Sequence, residues 1–114
     1  MSLGKHVLMN ITTGDIDWRN ITTLDRTTMF ESAAKRAGAT VVYSYCHEFA
    51  AGGAGTSGVI VLAESHLTWH EWPEHNYVAV DIFVCGEQAD PMLAIAIITD
   101  FYSSENTTIQ LIMR

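Results

Sequence analysis

Several things are scarce in this sequence. Only two of its 114 residues are cysteine, Cys46 and Cys85, too few for a disulfide framework. In a reducing compartment both are expected as free thiols. Basic residues number six against thirteen acidic ones, a net charge of −7, and beyond Lys35–Arg36 they do not cluster. An acidic surface repels phosphate backbones, which excludes nucleic acid as a natural partner and favours a cationic small molecule. No apolar run is long enough to span a bilayer, Met92 to Ile98 being far too short. The N-terminus lacks the charged start, apolar stretch and small-residue cleavage site of a secretory leader. The expectation is a cytoplasmic protein without a membrane partner, in which the Asn-x-Thr sequons at Asn10, Asn20 and Asn106 go unused. Low-complexity segments are missing, and the Asn-Ile-Thr-Thr echo at residues 10 and 20 is too short for a repeat.

What is there reads as one globular domain over residues 1–114, with 48% hydrophobic and 17% charged residues. A chain this short buries about two thirds of its unfolded surface, so part of any active site could fall to a partner subunit. Lys5 to Thr12 reads as a strand and Gly14 to Asp25 as turns. The helical spacing of Met29, Phe30, Ala33, Ala34 and Ala37 predicts a helix over 26–37, with Gly38 as its C-terminal cap. Thr40 to Tyr45 is β-branched and aromatic, Val59 to Ala63 and Tyr77 to Val84 are short apolar strands, and Thr107 to Met113 is a closing strand. Pro91 opens a second helix to about Tyr102. The order β-α-β-β-β-α-β predicts an α/β (α+β) two-layer sandwich: a mainly antiparallel sheet with both helices on one face. Ala50 to Gly58 is a small-residue loop that lacks both the P-loop lysine and a G-x-G-x-x-G order.

Chemistry concentrates between Glu64 and His75, which hold three of the five histidines and two of the three tryptophans. Crowded functional groups between two strands predict a site loop. His70-Glu71-x-x-x-His75 misses the H-E-x-x-H zinc spacing by one residue, and Pro73 breaks the helix that motif needs, so no metal site is assigned. Ser65 and His70 suggest a hydrolase pair, yet Ala63-Glu64-Ser65-His66-Leu67 is not a G-x-S-x-G elbow. By residue type alone the plainer reading prevails: Ser65 caps a turn and the histidines are exposed loop residues.

The run Glu64-Ser65-His66-Leu67-Thr68-Trp69-His70-Glu71-Trp72-Pro73-Glu74, followed by Ala79-Val80-Asp81 and Cys85-Gly86, resembles the bacterial and archaeal S-adenosylmethionine decarboxylase proenzymes. That family shows E-S-H-L-[ST]-x-H-x-W-P-E, a short gap, A-[AV]-D and then C-G. Leu3-Gly4-Lys5-His6 and Ala33-Ala34-Lys35-Arg36-Ala37-Gly38-Ala39 extend the resemblance over most of the chain.

The resemblance implies that the chain cleaves itself between Glu64 and Ser65 and that Ser65 becomes a covalent pyruvoyl cofactor. It assigns His70 and Ser57 to processing and Cys85 to proton donation after decarboxylation. It assigns Trp72 and Glu74 to adenine stacking and ribose binding, with Phe49 a second aromatic. The pyruvoyl ketone of such enzymes forms a Schiff base with the substrate amine and accepts the electrons released with carbon dioxide. The reaction would feed spermidine synthesis, and the protein would be a homodimer of cleaved protomers. Departures fall on the substrate side: the loop between Phe49 and Ser57 is about two residues longer than usual, the helix from Met92 is unusually apolar and the last strand lacks the family's basic residues. Ornithine or arginine decarboxylation by the same machinery therefore stands as an alternative, and a non-catalytic ligand-binding relative as a further one.

Overall fold

The computed structural model describes residues 3–50 and 53–114. Six strands form one antiparallel sheet: β1 (Gly4–Thr13), β2 (Val41–Glu48), β3 (Thr56–Leu62), β4 (Ser65–Trp72), β5 (Tyr77–Cys85) and β6 (Ser104–Met113), in the order β2-β3-β4-β5-β1-β6. Helices α1 (Thr23–Arg36) and α2 (Ile95–Phe101) cover one face. Among the described residues no helix is long and apolar enough to cross a membrane. The expected two-layer sandwich is present, with one strand more than the spacing predicted.

The extra strand is the segment expected to be a site loop. Residues 65–72 alternate, with Leu67, Trp69 and Glu71 buried and His66, Thr68, His70 and Trp72 on the other face. This is the period of a half-buried strand, masked in the sequence by a charged residue at an inward position. β3 likewise begins at Thr56, so three residues assigned to the glycine loop are strand; residues 51 and 52 of that loop lie outside the described residues. α1 starts three residues before the expected boundary because Thr22 and Asp25 form a reciprocal capping box. It ends at Arg36, with Gly38 at φ +88° as the expected cap. The second expected helix is broken into a 3-10 turn (Pro91–Ala94) and the short α2.

Small residues on the inner side of α1, Ala33, Ala34 and Ala37, are fully buried and let the helix lie close to the sheet. Phe30 stacks on Trp69 at 4.1 Å between ring centres, with 13° between the planes. Trp69 in turn lies across β3 at Gly58, where an added Cβ would sit 2.0 Å from the indole.

At the centre of this apolar layer lies a buried carboxylate. Glu71 Oε2 accepts hydrogen bonds from Arg26 Nε at 2.8 Å and from the Tyr102 hydroxyl at 2.6 Å. Its Oε1 accepts from the Thr56 N–H and hydroxyl, both at 2.9 Å. Burial works against the Arg26 charge, but the bond and attraction of Glu71 outweigh it and raise its pKa above the ordinary value. Burial, reinforced by the Glu71 charge, pushes the Tyr102 hydroxyl well up, so it is a neutral donor.

Removing one partner of such a pair strands a charge in the core. Arg26→Met is expected to lower the unfolding free energy by about 3–5 kcal/mol, read as a lower urea midpoint at unchanged slope. Arg26→Met with Glu71→Leu should cost less than the two single changes together, because neither charge remains. A single variant within about 0.5 kcal/mol of the parent would contradict the pair's role.

Candidate active site

The sheet face away from the helices carries Ser57, His70, Trp72 and Cys85, sorted by the pleat, while Ser65, next to the hairpin tip, falls on the other side of it. The hairpin between β3 and β4 pairs Leu62 with Ser65, so Ala63 and Glu64 form its two-residue tip and the Glu64–Ser65 peptide joins that tip to β4. Glu64 is tied back: its Oε1 accepts from the Thr40 N–H at 2.8 Å, and that bond lowers its carboxyl pKa. The Ser65 hydroxyl lies 3.3 Å from Nδ1 of His66, the first residue of β4 on the open face.

Ser65 pairs with Val84, which places Cys85 at the same end of the sheet. Cys85 pairs with Gly4, and an added Cβ there would lie 3.0 Å from its sulfur and 2.6 Å from the Val84 carbonyl oxygen. With the Phe83 ring also at 2.7 Å, glycine is required where β1 passes the end of β5, which gives the Leu3-Gly4-Lys5-His6 motif a physical reason. Both cysteines are free and partly buried. Cys46 differs from Cys85 in facing the Arg26–Glu71 network, and burial raises its pKa.

The other site residues gather at the opposite end of β4. Ser57 and His70 are direct cross-strand partners, and the Ser57 hydroxyl is hydrogen-bonded to His70 Nδ1. The imidazole touches two aromatics, Trp72 at 4.0 Å and Phe49 at 5.6 Å between ring centres. Tyr77 stacks behind Trp72 at 5.3 Å and 27°, and its hydroxyl donates to Asn10 Oδ1 at 2.5 Å. Glu74 is exposed in the following 3-10 turn (Pro73–His75), which ends on Asn76 at φ +49°.

The expected residues are thus brought together as two half-sites, not one. Glu64, Ser65 and Cys85 stand at one end, and Phe49, Ser57, His70, Trp72 and Glu74 at the other. Ser65 and His70 are five residues apart on one strand, roughly 17 Å at about 3.4 Å per residue, and an odd separation puts their side chains on opposite sides of the pleat. Phe49 and Trp72 are linked through His70, which contacts both. His66 and Tyr77 were missed as members of the site. The alternation 66, 68, 70, 72 on one face, and the pairing of Tyr77 across from Trp72, are the signals that locate them. Among the described residues no three metal-ligating side chains come together.

The family model for S-adenosylmethionine decarboxylase matches residues 5–114. An S-adenosylmethionine decarboxylase proenzyme of Caldicellulosiruptor saccharolyticus is 42% identical over 107 residues, covering 94% of this chain and 84% of that protein. One of Prochlorococcus marinus is 38% identical over 112 residues, covering 98% and 87%. The crystal structure of the adenosylmethionine decarboxylase from Aquifex aeolicus superimposes with a TM-score of 0.82 at 30% identity, covering 99% of this chain and 91% of that one. With its fold, its E-S-H-L…H…W-P-E motif and these likenesses in agreement, the chain belongs to the S-adenosylmethionine decarboxylase family.

Proposed function

We propose that this protein is a self-cleaving, pyruvoyl-dependent decarboxylase of S-adenosylmethionine that feeds polyamine synthesis. The observation that carries this reading is the pair of half-sites at opposite ends of β4. One holds a hydroxyl at a hairpin tip beside a thiol; the other holds a hydroxyl–imidazole pair flanked by aromatic rings. A two-fold dimer that lays the open faces against each other with β4 reversed would bring each hairpin tip, with Ser65 at the sheet end, beside its partner's Ser57–His70. It would also cover the exposed Tyr43, Tyr45 and Phe49 on that face.

Processing needs two proton transfers. The Ser65 hydroxyl attacks the Glu64 carbonyl carbon, its proton passes through imidazole to the Ser65 nitrogen, and the C–N bond breaks to leave an ester. Removal of the Ser65 α-proton then expels the Glu64 carboxylate. The dehydroalanine left at residue 65 tautomerises, and water releases ammonia and leaves the pyruvoyl ketone. His70, hydrogen-bonded to Ser57, is the group suited to both transfers. His66, 3.3 Å from the Ser65 hydroxyl, orients the nucleophile from within the same chain.

The position fits the cofactor: residue 65 follows a tight turn whose carboxyl side is anchored by Thr40, so cleavage frees an end without dismantling the ladder. Once formed, the pyruvoyl group supplies a ketone for the substrate amine and a sink for the electrons left by carbon dioxide. Cys85, paired with Gly4 at the same sheet end, gives back the proton in this reading. Trp72, propped from behind by Tyr77, offers a stacking face to adenine and the sulfonium, and Glu74 a carboxylate to the ribose hydroxyls. Ornithine and arginine have no ring to occupy this aromatic row.

Intact mass of the purified protein should show two chains, residues 1–64 and pyruvoyl-blocked residues 65–114, and Ser65→Ala should stay whole; a parent chain that never cleaves would sink the enzymatic reading. Cys85→Ser should cleave normally but turn over about a hundredfold more slowly. Misplaced protonation should also convert its pyruvoyl end to alanine, visible in the mass. Normal turnover would remove Cys85 from the reaction. Trp72→Ala should process normally and raise KM for S-adenosylmethionine by about tenfold. Carbon dioxide release from labelled S-adenosylmethionine, ornithine and arginine, assayed side by side, should favour the nucleoside by kcat/KM.

A further inference from the structure

The helix side of β3 and β4 carries a clamp for which the processing chemistry gives no role. The paired register of these strands ends at Ser57 opposite His70. The processing pair is therefore the last rung of its ladder, where antiparallel strands fray first. In register, the next residues are Thr56 and Glu71, and here a side chain replaces the backbone rung. The Thr56 N–H and hydroxyl both donate to Glu71 Oε1 at 2.9 Å. The Thr56 oxygen also accepts from Trp69 Nε1 at 3.0 Å. The other carboxylate oxygen is held by Arg26 from α1 and Tyr102 beside α2. Thr56, Glu71, Arg26 and Tyr102 are all essentially fully buried, so these bonds form without competition from water.

The pleat connects this clamp to the chemistry. Thr56 is the neighbour of Ser57, and Glu71 lies between His70 and Trp72, so fixing the inward side chains fixes where the outward ones stand. The family motif leaves the position of Glu71 open, between its histidine and tryptophan. We propose that Glu71, acting through Thr56, is a positioning residue for the Ser57–His70 pair: it closes the end of the β3–β4 ladder and holds the hydroxyl–imidazole hydrogen bond made for processing. The inference rests on the self-cleavage reading, and its test is arranged so that the two can fail separately.

The test compares the parent proenzyme with Thr56→Val, Thr56→Ser and Tyr102→Phe. Cleavage at Glu64–Ser65 is followed by intact mass from about pH 5 to 9, beside urea unfolding of each protein. Thr56→Val keeps shape and N–H but loses the hydroxyl; it should cleave about tenfold more slowly, what one lost buried hydrogen bond amounts to in a barrier. Its pH midpoint should also move, which a loss of stability alone would not cause in the folded fraction. Thr56→Ser, which restores the hydroxyl, should come within about twofold of the parent, and Tyr102→Phe, which loosens Glu71 from a distance, should be about threefold slow. Parent rate and midpoint in folded Thr56→Val would overturn the proposal. If that variant does not fold, parent rate and midpoint in Tyr102→Phe would do so. If the parent itself does not cleave, the self-cleavage reading fails, and the clamp is judged by NMR titration of the His70 ring. That titration should move in Thr56→Val and be unchanged in Thr56→Ser; no movement in either would overturn it.

Discussion

A single buried carboxylate ties the layers of this small domain together. Glu71 receives four hydrogen bonds from three other parts of the chain: the guanidinium on α1, the phenol that ends α2 and the first residue of β3. An isolated carboxylate in such a place would cost several kcal/mol in desolvation, so it is tolerable only with its charge matched and its lone pairs filled. Arg26 matches the charge, and its second nitrogen is bonded to the Ile21 carbonyl at 2.5 Å, just before the capping box that starts α1. The ion pair thus sets where the helix begins against the sheet, while Phe30 on Trp69 sets how close it lies. A hydrophobic residue at position 71 would pack, but it would not specify these directions.

The same strand explains why the site comes in halves. β4 runs from the hairpin tip at Glu64–Ser65 to the aromatic row of Trp72, and its eight residues make it too long for one end to reach the other. One face of it belongs to the core; the other is left to a mate. A single sheet covered by helices on one side only is an incomplete sandwich, and here the uncovered side also carries Ser57, His70, Trp72 and Cys85. In the proposed dimer, completion of the fold and completion of the site become one requirement.

Much of this was legible in the sequence, and what was not has definite causes. The alanine face of α1, the glycine cap and the short apolar strands follow from spacing and turn chemistry, and they lie where those signals put them. β4 was hidden because Glu71 occupies an inward position: a charge at a buried register breaks the alternation by which strands are recognised. Its partners Arg26 and Tyr102 come from distant parts of the chain, and nothing local marks them. Ser57, Ser65, His70, Cys85 and Trp72 were singled out through the family resemblance, but a motif is silent on distance. It could not say that Ser65 and His70, five residues apart, stand on opposite sides of a pleat. Gly4 is the converse case, a residue noted in the sequence without a reason, whose reason is the close approach of the Val84 carbonyl oxygen and the Phe83 ring, with the sulfur of Cys85 beside them.

The central claim, that each cleavage site is built from two copies, is tested most directly by complementation. Ser65→Ala and His70→Ala proenzymes, distinguished by isotopic mass, are unfolded and refolded separately and together, and cleavage is followed by intact mass. The account predicts that neither variant cleaves alone. In the mixture the His70→Ala chain, whose Ser65 meets the imidazole of the other copy, should cleave while the Ser65→Ala chain stays whole. Rapid cleavage of His70→Ala on its own, or an inert mixture of folded variants under conditions where the parent cleaves, would contradict it.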